Sequence, residues 1–280
     1  MKQITLNFFR NLLSNNQKKK LLYKVADILG INLLNAAYNR IGILNYENYV
    51  ESGEKYLVEV LLKKIFDKKK HITVFDVGGN DGTYAKMIAT AFPYSQVYSF
   101  EPIPETQELF IKTNKNLNNI KLFKLALDEN IGTKRINFDK KNPVSGHNSF
   151  YEDVFTIFLE KKEDLENIEI ITNTIDNFCR ENLVHELDFL KIDTEGNEYP
   201  ILKGAKKMIE EKKIAVIQFE FGECNVFSKF FLKDFYDLLN DYSIYRLNSN
   251  HLIDLQEYNS TNEIFRFQNI IAIRKDITIE

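Results

Sequence analysis

Cysteine is scarce in this 280-residue chain. Cys179 and Cys224 are the only two, each set in an apolar run, which excludes a disulfide framework and a cysteine-based zinc site. Charge imbalance is also missing: a net charge of −3 gives no global attraction toward nucleic acid. Nowhere do about 18 apolar residues run uninterrupted, so no segment reads as membrane-spanning. The opening stretch MKQITLNFFRNLLSNNQKKK lacks the apolar core of a signal peptide, and a cytoplasmic location is expected. No internal repeat and no Gly/Ser linker is present. What remains is a chain with 44% apolar and 28% charged residues, an ordinary globular composition long enough to bury a sizeable core.

Two regions differ in pattern. Residues 1–70 read as a helical extension, in which Leu21, Leu22, Val25, Ile28 and Leu29 repeat at helical spacing. That stripe needs a partner surface: the protein's own core, a second subunit in a homo-oligomer, or, less favoured, a membrane surface met through Phe8, Phe9, Leu12, Leu13 and the basic run Lys18 to Lys20. Residues 71–280 alternate strands with helices, the signature of a parallel α/β sheet. ITVFDV, QVYSFE, IKLFKLAL, LDFLKID and IAVIQFEF read as its strands, with KRINF as a further, antiparallel one. YSIYRLN and FQNIIAIRK, which no helical stripe separates, read as a closing antiparallel pair. An α/β doubly wound sheet, mostly parallel and ending in such a pair, is the Rossmann-like arrangement of the class I methyltransferases.

The stretch VFDVGGNDGTYAKMIA holds a strand, a glycine turn and a helix start, a form that brings backbone N–H groups close to a ligand. Gly78, Gly79 and Gly82 do not follow G-x-G-x-x-G, and no Lys-Ser/Thr pair follows as a phosphate loop requires. Asp76 and Asp81 would crowd a pyrophosphate. They would instead attract the sulfonium and ammonium of S-adenosylmethionine, while the glycines let the backbone approach it. Glu101, at the next strand end, is placed to accept from both ribose hydroxyls; NAD enzymes use the same device, so it does not choose between cofactors. Asp128, after the third strand, is placed to accept from the adenine amino group. KIDTEGNEYPILKGA packs Asp193, Glu195 and Glu198 at another strand end, with Asn197 as a possible cap for the helix that Pro200 begins.

With DVGGNDG, FEP, ALDENIG, KIDTEGNE and LKGA in this order and spacing, the chain resembles the FkbM-type methyltransferases from about Glu51 to Lys275. KIDTEGNE is the specific part. The resemblance implies methyl transfer from S-adenosylmethionine, commonly to a hydroxyl of a sugar, glycolipid or other natural product. It implies cofactor contacts at Asp76, Gly78, Gly79, Asn80, Gly82, Glu101, Pro102 and Asp128, with Asp193 and Glu195 near the junction of cofactor and acceptor.

Methyl transfer is an in-line displacement, so positioning is the main task and a general base assists. His147 in SGHNSF, Asp193 and Glu220 can each serve as that base. Asp193, Glu195 and Glu220 could instead hold Mg²⁺, whereas His71, His185 and His251 lack the paired spacing of a transition-metal site. Tyr84 and Phe100 can offer aromatic faces near the cofactor. A dinucleotide-dependent oxidoreductase and a non-catalytic cofactor-binding domain remain as rival readings.

Overall fold

In the computed structural model, which describes residues 14–141, 148–159 and 165–279, eleven strands form two sheets. β1 (Thr73–Val77), β2 (Gln96–Phe100), β3 (Ile120–Phe123), β7 (Leu187–Ile192) and β8 (Ile214–Phe221) run parallel in the order β3-β2-β1-β7-β8. Beyond β8 the order continues β11-β9-β10, with β9 (Tyr242–Asn248), β10 (His251–Asp254) and β11 (Gln268–Arg274). The expected closing pair is present, since β9 and β11 are antiparallel. The last strand of the chain inserts between β8 and β9 and is antiparallel to both. This is the class I methyltransferase topology.

Period-2 alternation places the two cores. Phe75, Leu190 and Ile217 face one apolar cluster, shared with α7 (Ile175–Glu181), α8 (Glu198–Lys203), α9 (Lys206–Glu210) and α10 (Leu232–Leu238). Val74, Phe189 and Val216 face the other, shared with α5 (Thr83–Ala91) and with the run 54–65. That run joins α3 (Glu54–Tyr56), a π-helical turn Leu57–Leu61, and α4 (Leu62–Ile65), and it buries Leu57, Val58, Leu61 and Leu62. Strands covered on both faces read as near-continuous apolar runs, which is why they were legible.

The stretch IKLFKLAL divides. Its first half is β3; Ala126–Leu127 forms β4 in a second sheet of order β4-β6-β5, with β5 (Gly132–Asp139) and β6 (Leu165–Asn173). β5, expected as antiparallel, pairs with β6 in this separate sheet rather than in the main one. β6 gave no clear sequence signal, because a one-sided ladder leaves most of it in solvent: only Ile170 and Thr172 are buried, Ile170 against the small cluster of Ile103, Ala126, Ile136 and Phe138.

The N-terminal region forms α1 (Asn15–Leu29) and α2 (Leu33–Arg40), then turns over residues 41–53. A capping box starts α1: Ser14 Oγ accepts from Gln17 N and Gln17 Oε1 accepts from Ser14 N. The turns are tied to the sheet end, with Leu44 N donating to Phe267 O at 2.8 Å and Asn248 Nδ2 donating to Arg40 O at 3.0 Å. Phe8, Phe9, Leu12 and Leu13 lie outside the described residues. No helix among the described residues is long and apolar enough to cross a membrane.

Candidate functional site

The glycine turn after β1 and the loop after β7 meet edge to edge. Gly78 adopts φ +80°, and a Cβ built on it would stand 1.8 Å from the Asp193 carbonyl oxygen. Glycine is required there both by the left-handed backbone and by the approach of the neighbouring strand end. Gly78 N and Gly79 N both donate to Phe100 O. Asn80 N donates to Glu101 Oε2 at 3.0 Å and Ile103 N donates to Glu101 Oε1 at 2.8 Å, so the two strand ends hold one carboxylate between them. Burial raises the Glu101 carboxyl to about 7. Gly82 starts α5 and packs against Asn114 and Phe110 of α6 (Pro104–Asn114), behind the turn. Asp81 caps the same helix start, accepting from Thr83 N and Thr83 Oγ1.

Strand register then assembles a row that local sequence does not reveal. Ser99, Asp76, Lys191 and Gln218 are successive partners across β2, β1, β7 and β8. Asp76 is fully buried, accepts from Ser99 Oγ at 2.7 Å and has Lys191 Nζ 3.7 Å from its second oxygen. Its carboxyl therefore points along the sheet and lines neither of the two cavities described below, whereas the resemblance implies a direct cofactor contact. Lys191 Nζ lies 3.1 Å from Asp193 Oδ2 and 5.0 Å from the centre of the Tyr84 ring. Burial alone would push this ammonium down, but the charges of Asp193, Asp76 and Glu54 outweigh it and hold Lys191 above the usual lysine range. Gln218 accepts from Tyr84 Oη and donates to Glu54 Oε1 and Asn269 Oδ1, and Ser52 Oγ donates to Glu54 Oε2.

Two cavities open on either side of this ridge. The first, about 230 Å³, is lined by Gly78, Asn80, Glu101, Pro102 and the apolar Leu127, Ile136 and Phe150, and reaches Asp193, Glu195 and Glu220. The second, about 330 Å³, is walled by Tyr46, Asn48, Tyr49 and Glu54 from the N-terminal segment and by Phe267 and Asn269, with Gly79, Asp81, Tyr84 and Lys191 on its inner side. Gly78, Asn80, Asp193 and Glu220 belong to both.

The acids of KIDTEGNE divide by role. Glu198 is buried and folds its own loop, with Oε1 accepting from Thr194 N, Thr194 Oγ1 and Gly196 N. Glu195 lines the first cavity from a left-handed backbone (φ +52°), and Cys224 Sγ donates to its Oε2 at 3.1 Å. Glu220, at the end of β8, is pushed well above the usual carboxylate range, first by burial and then by Asp193, Glu195 and Glu198. Asn197 makes no cap: its Nδ2 donates to Asp128 Oδ1 at 3.3 Å. Asp128 itself is fully buried, 2.5 Å from Lys134 Nζ, and does not line the first cavity; Ala126 and Leu127 do. The carboxyl expected to accept from an adenine amino group is therefore turned away from this cavity. Phe100 lines the first cavity from within the core. His147 lies outside the described residues.

The sequence reading missed Lys191, Glu54, Tyr49, Gln218 and Asn269. Lys191 left a signal, since a lysine within a strand buried on both faces demands counter-charges. Glu54 and Tyr49 left none, because their segment reaches the site only through the tertiary fold.

The geometry can be tested for a cationic cofactor. Asn80 Oδ1 is buried without a partner, the turn admits backbone approach, and Asp193, Glu195 and Glu220 line the first cavity. These features fit a ligand bearing hydroxyls and positive charge, and they fit a pyrophosphate poorly. Among the described residues no group of three or more His, Cys, Asp or Glu side chains could hold a metal ion.

Comparison with known proteins follows the same lines. The Methyltransferase FkbM domain matches residues 76–245, a narrower stretch than the resemblance extending from Glu51 to Lys275. The chain is 24% identical over 162 residues to the 2-O-methyltransferase NoeI of Sinorhizobium fredii, an alignment covering 54% of this chain and 65% of the relative, slightly under two thirds of its length. Similar solved structures include the fibrillarin pre-rRNA processing protein of Methanococcus jannaschii (TM-score 0.44, 12% identity, 81% of this chain and 76% of that one). Another is an rRNA methylase from Streptococcus thermophilus (TM-score 0.43, 10% identity, 82% and 99%). Because the matched domain runs from the end of β1 into β9 and takes in more than half of the residues, the chain belongs to the FkbM methyltransferase family.

Proposed function

We propose that the protein transfers a methyl group from S-adenosylmethionine to a hydroxyl of a saccharide or saccharide-bearing acceptor. The observation that carries this reading is the meeting of two cavities at Gly78, Asn80, Asp193 and Glu220. The first cavity would hold the cofactor: Glu101 would accept from the ribose hydroxyls, Leu127 and Ile136 would pack the adenine, and the acidic end would face the charged tail. When bound, the cofactor supplies a methyl group on a sulfonium leaving group. The second cavity alternates aromatic faces (Tyr46, Tyr49, Phe267) with hydrogen-bonding groups (Asn48, Asn269, Glu47), a surface suited to a sugar ring with apolar faces and hydroxyl edges. A relative named as a 2-O-methyltransferase supports oxygen as the acceptor atom.

Asp193 and Glu220 come within hydrogen-bond reach of one another at the junction, and Lys191 anchors Asp193. That carboxyl pair would take the proton leaving the acceptor oxygen. Asp193→Asn is expected to reduce turnover by about 10²–10⁴-fold, the span of general-base assistance, while S-adenosylmethionine affinity falls much less. The measurement is labelled methyl transfer to a glycan and glycolipid extract, run beside calorimetry of cofactor binding. Tight NAD(H) binding without S-adenosylmethionine binding would revive the oxidoreductase reading. Cofactor binding with no transfer to any fraction would leave a non-catalytic domain.

Glu101 adds a pH signature. Its ionised form offers the free lone pairs, and its carboxyl is raised to about 7, so cofactor affinity should rise as pH increases from 6 to 8 and fall by up to about tenfold per unit below 7. Glu101→Gln should bind more weakly at pH 8 and lose this dependence. A variant that keeps the parent's pH profile would assign the titration to another group.

A further inference from the structure

Helix α1 carries an apolar stripe that no described residue covers. Leu21, Leu22, Val25, Ile28 and Leu29 fall within an arc of about 120° at 100° per residue. All five are exposed, Ile28 by 74% and Leu29 by 64%, and only Ala26 of this helix is buried. The stripe continues through the exposed Ile31 and Leu34. Leaving this much contiguous apolar surface in water is unfavourable and marks an interaction face.

The charges around the stripe indicate what covers it. Lys18 stands one turn before Leu21 and Leu22 on the same face; Lys19 borders one side and Lys24 the other. Asp27, the one acidic residue of the helix, lies on the opposite side beside Lys20. Two copies of α1 pressed together by their stripes would set lysines against lysines with no acid at the seam. A surface that is apolar within and anionic at its edge matches both features, since lysine stems can lie along apolar groups while their ammoniums stay at the headgroups.

We infer that α1 docks in the plane of an anionic lipid bilayer, with the stripe from Leu21 to Leu29 inserted and Lys18, Lys19 and Lys24 at the headgroups. This face is separate from the two cavities, and the inference stands independently of the proposed reaction. No helix of the described chain spans a bilayer, so the contact is peripheral.

Flotation of the full chain with vesicles of mixed phosphatidylglycerol and phosphatidylcholine, beside vesicles of phosphatidylcholine alone, tests it. Binding to the anionic vesicles should be at least about tenfold tighter and should weaken with added salt. Ile28→Glu, at a position too exposed to disturb folding, should lower partitioning at least about tenfold. Lys19→Ala with Lys24→Ala should lower it by roughly thirtyfold, at about 1 kcal/mol per lysine. Equal binding of Ile28→Glu and the parent, or no binding to anionic vesicles, would overturn the inference. So would a parent dimer that Ile28→Glu converts to monomer, which would make a second copy the occupant.

Discussion

Lys191→Met is expected to destabilise the protein by about 3–5 kcal/mol, the cost of leaving a buried charge without its partner. Lys191 is the cation beside Asp76, which has no exposed surface, and it also anchors Asp193 at 3.1 Å and sits over the Tyr84 ring. Methionine keeps the volume and removes the charge. Asp76 retains one strong bond, from Ser99, and its carboxylate then faces apolar surroundings. The sign of the pH dependence follows. Burial already raises the Asp76 carboxyl, with Lys191 and Ser99 as the main opposing influences, and without Lys191 the shift grows. A carboxyl raised above its unfolded value destabilises when ionised, so the deficit of Lys191→Met should be full at neutral pH and above and should shrink as pH falls through the raised value. Urea midpoints at pH 5 and pH 8 measure both points. Adding Asp76→Asn should restore much of the loss, because the uncompensated charge is gone; a double variant no better than Lys191→Met would show that the pairing is not what stabilises the row.

Gly78→Ala should abolish cofactor binding, with a loss of at least about a hundredfold. The added carbon would lie 1.8 Å from the Asp193 carbonyl oxygen, on backbone that cannot give way as a flexible side chain could. The left-handed conformation alone costs about 1–2 kcal/mol for a residue with a Cβ. Relief requires β1 and β7 to separate at their ends, which moves Asn80, Asp193 and the floor shared by both cavities. Gly30→Ala is the control: φ there is also positive, at +65°, but nothing lies within 4 Å of a Cβ. It should cost stability through backbone strain at the end of α1 and leave calorimetric binding unchanged. Binding in Gly78→Ala within a few fold of the parent, with its circular dichroism intact, would mean that the ligand does not rest on this turn.

What could be read without the structure was what local chemistry controls. The strand, the turn and helix α5 are legible from Val74 to Ala89 because β-branched and aromatic residues, adjacent glycines and a helical stripe each act over a few positions. Glu101 and Asp193 were placed at strand ends for the same reason, and both line the first cavity. Asp76 and Asp128 are equally close to strand ends, yet one turns along the sheet to Lys191 and the other behind the wall to Lys134. Side-chain direction at a strand end depends on which strand lies alongside, and that is not a local property.

The amino-acid sequence by itself determined the alternation of strands and helices, the glycine turn and the supply of carboxylates at the strand ends. The tertiary structure alone decided the register that aligns Ser99, Asp76, Lys191 and Gln218, and the insertion of β11 between β8 and β9. It alone also brought residues 46–54 and 267–269 to one cavity. The physical reason is separation along the chain. Asp76 and Lys191 are over a hundred residues apart, and Tyr46 and Phe267 more than two hundred. Contacts that distant form only when the buried faces of whole strands and helices have fixed where each backbone runs.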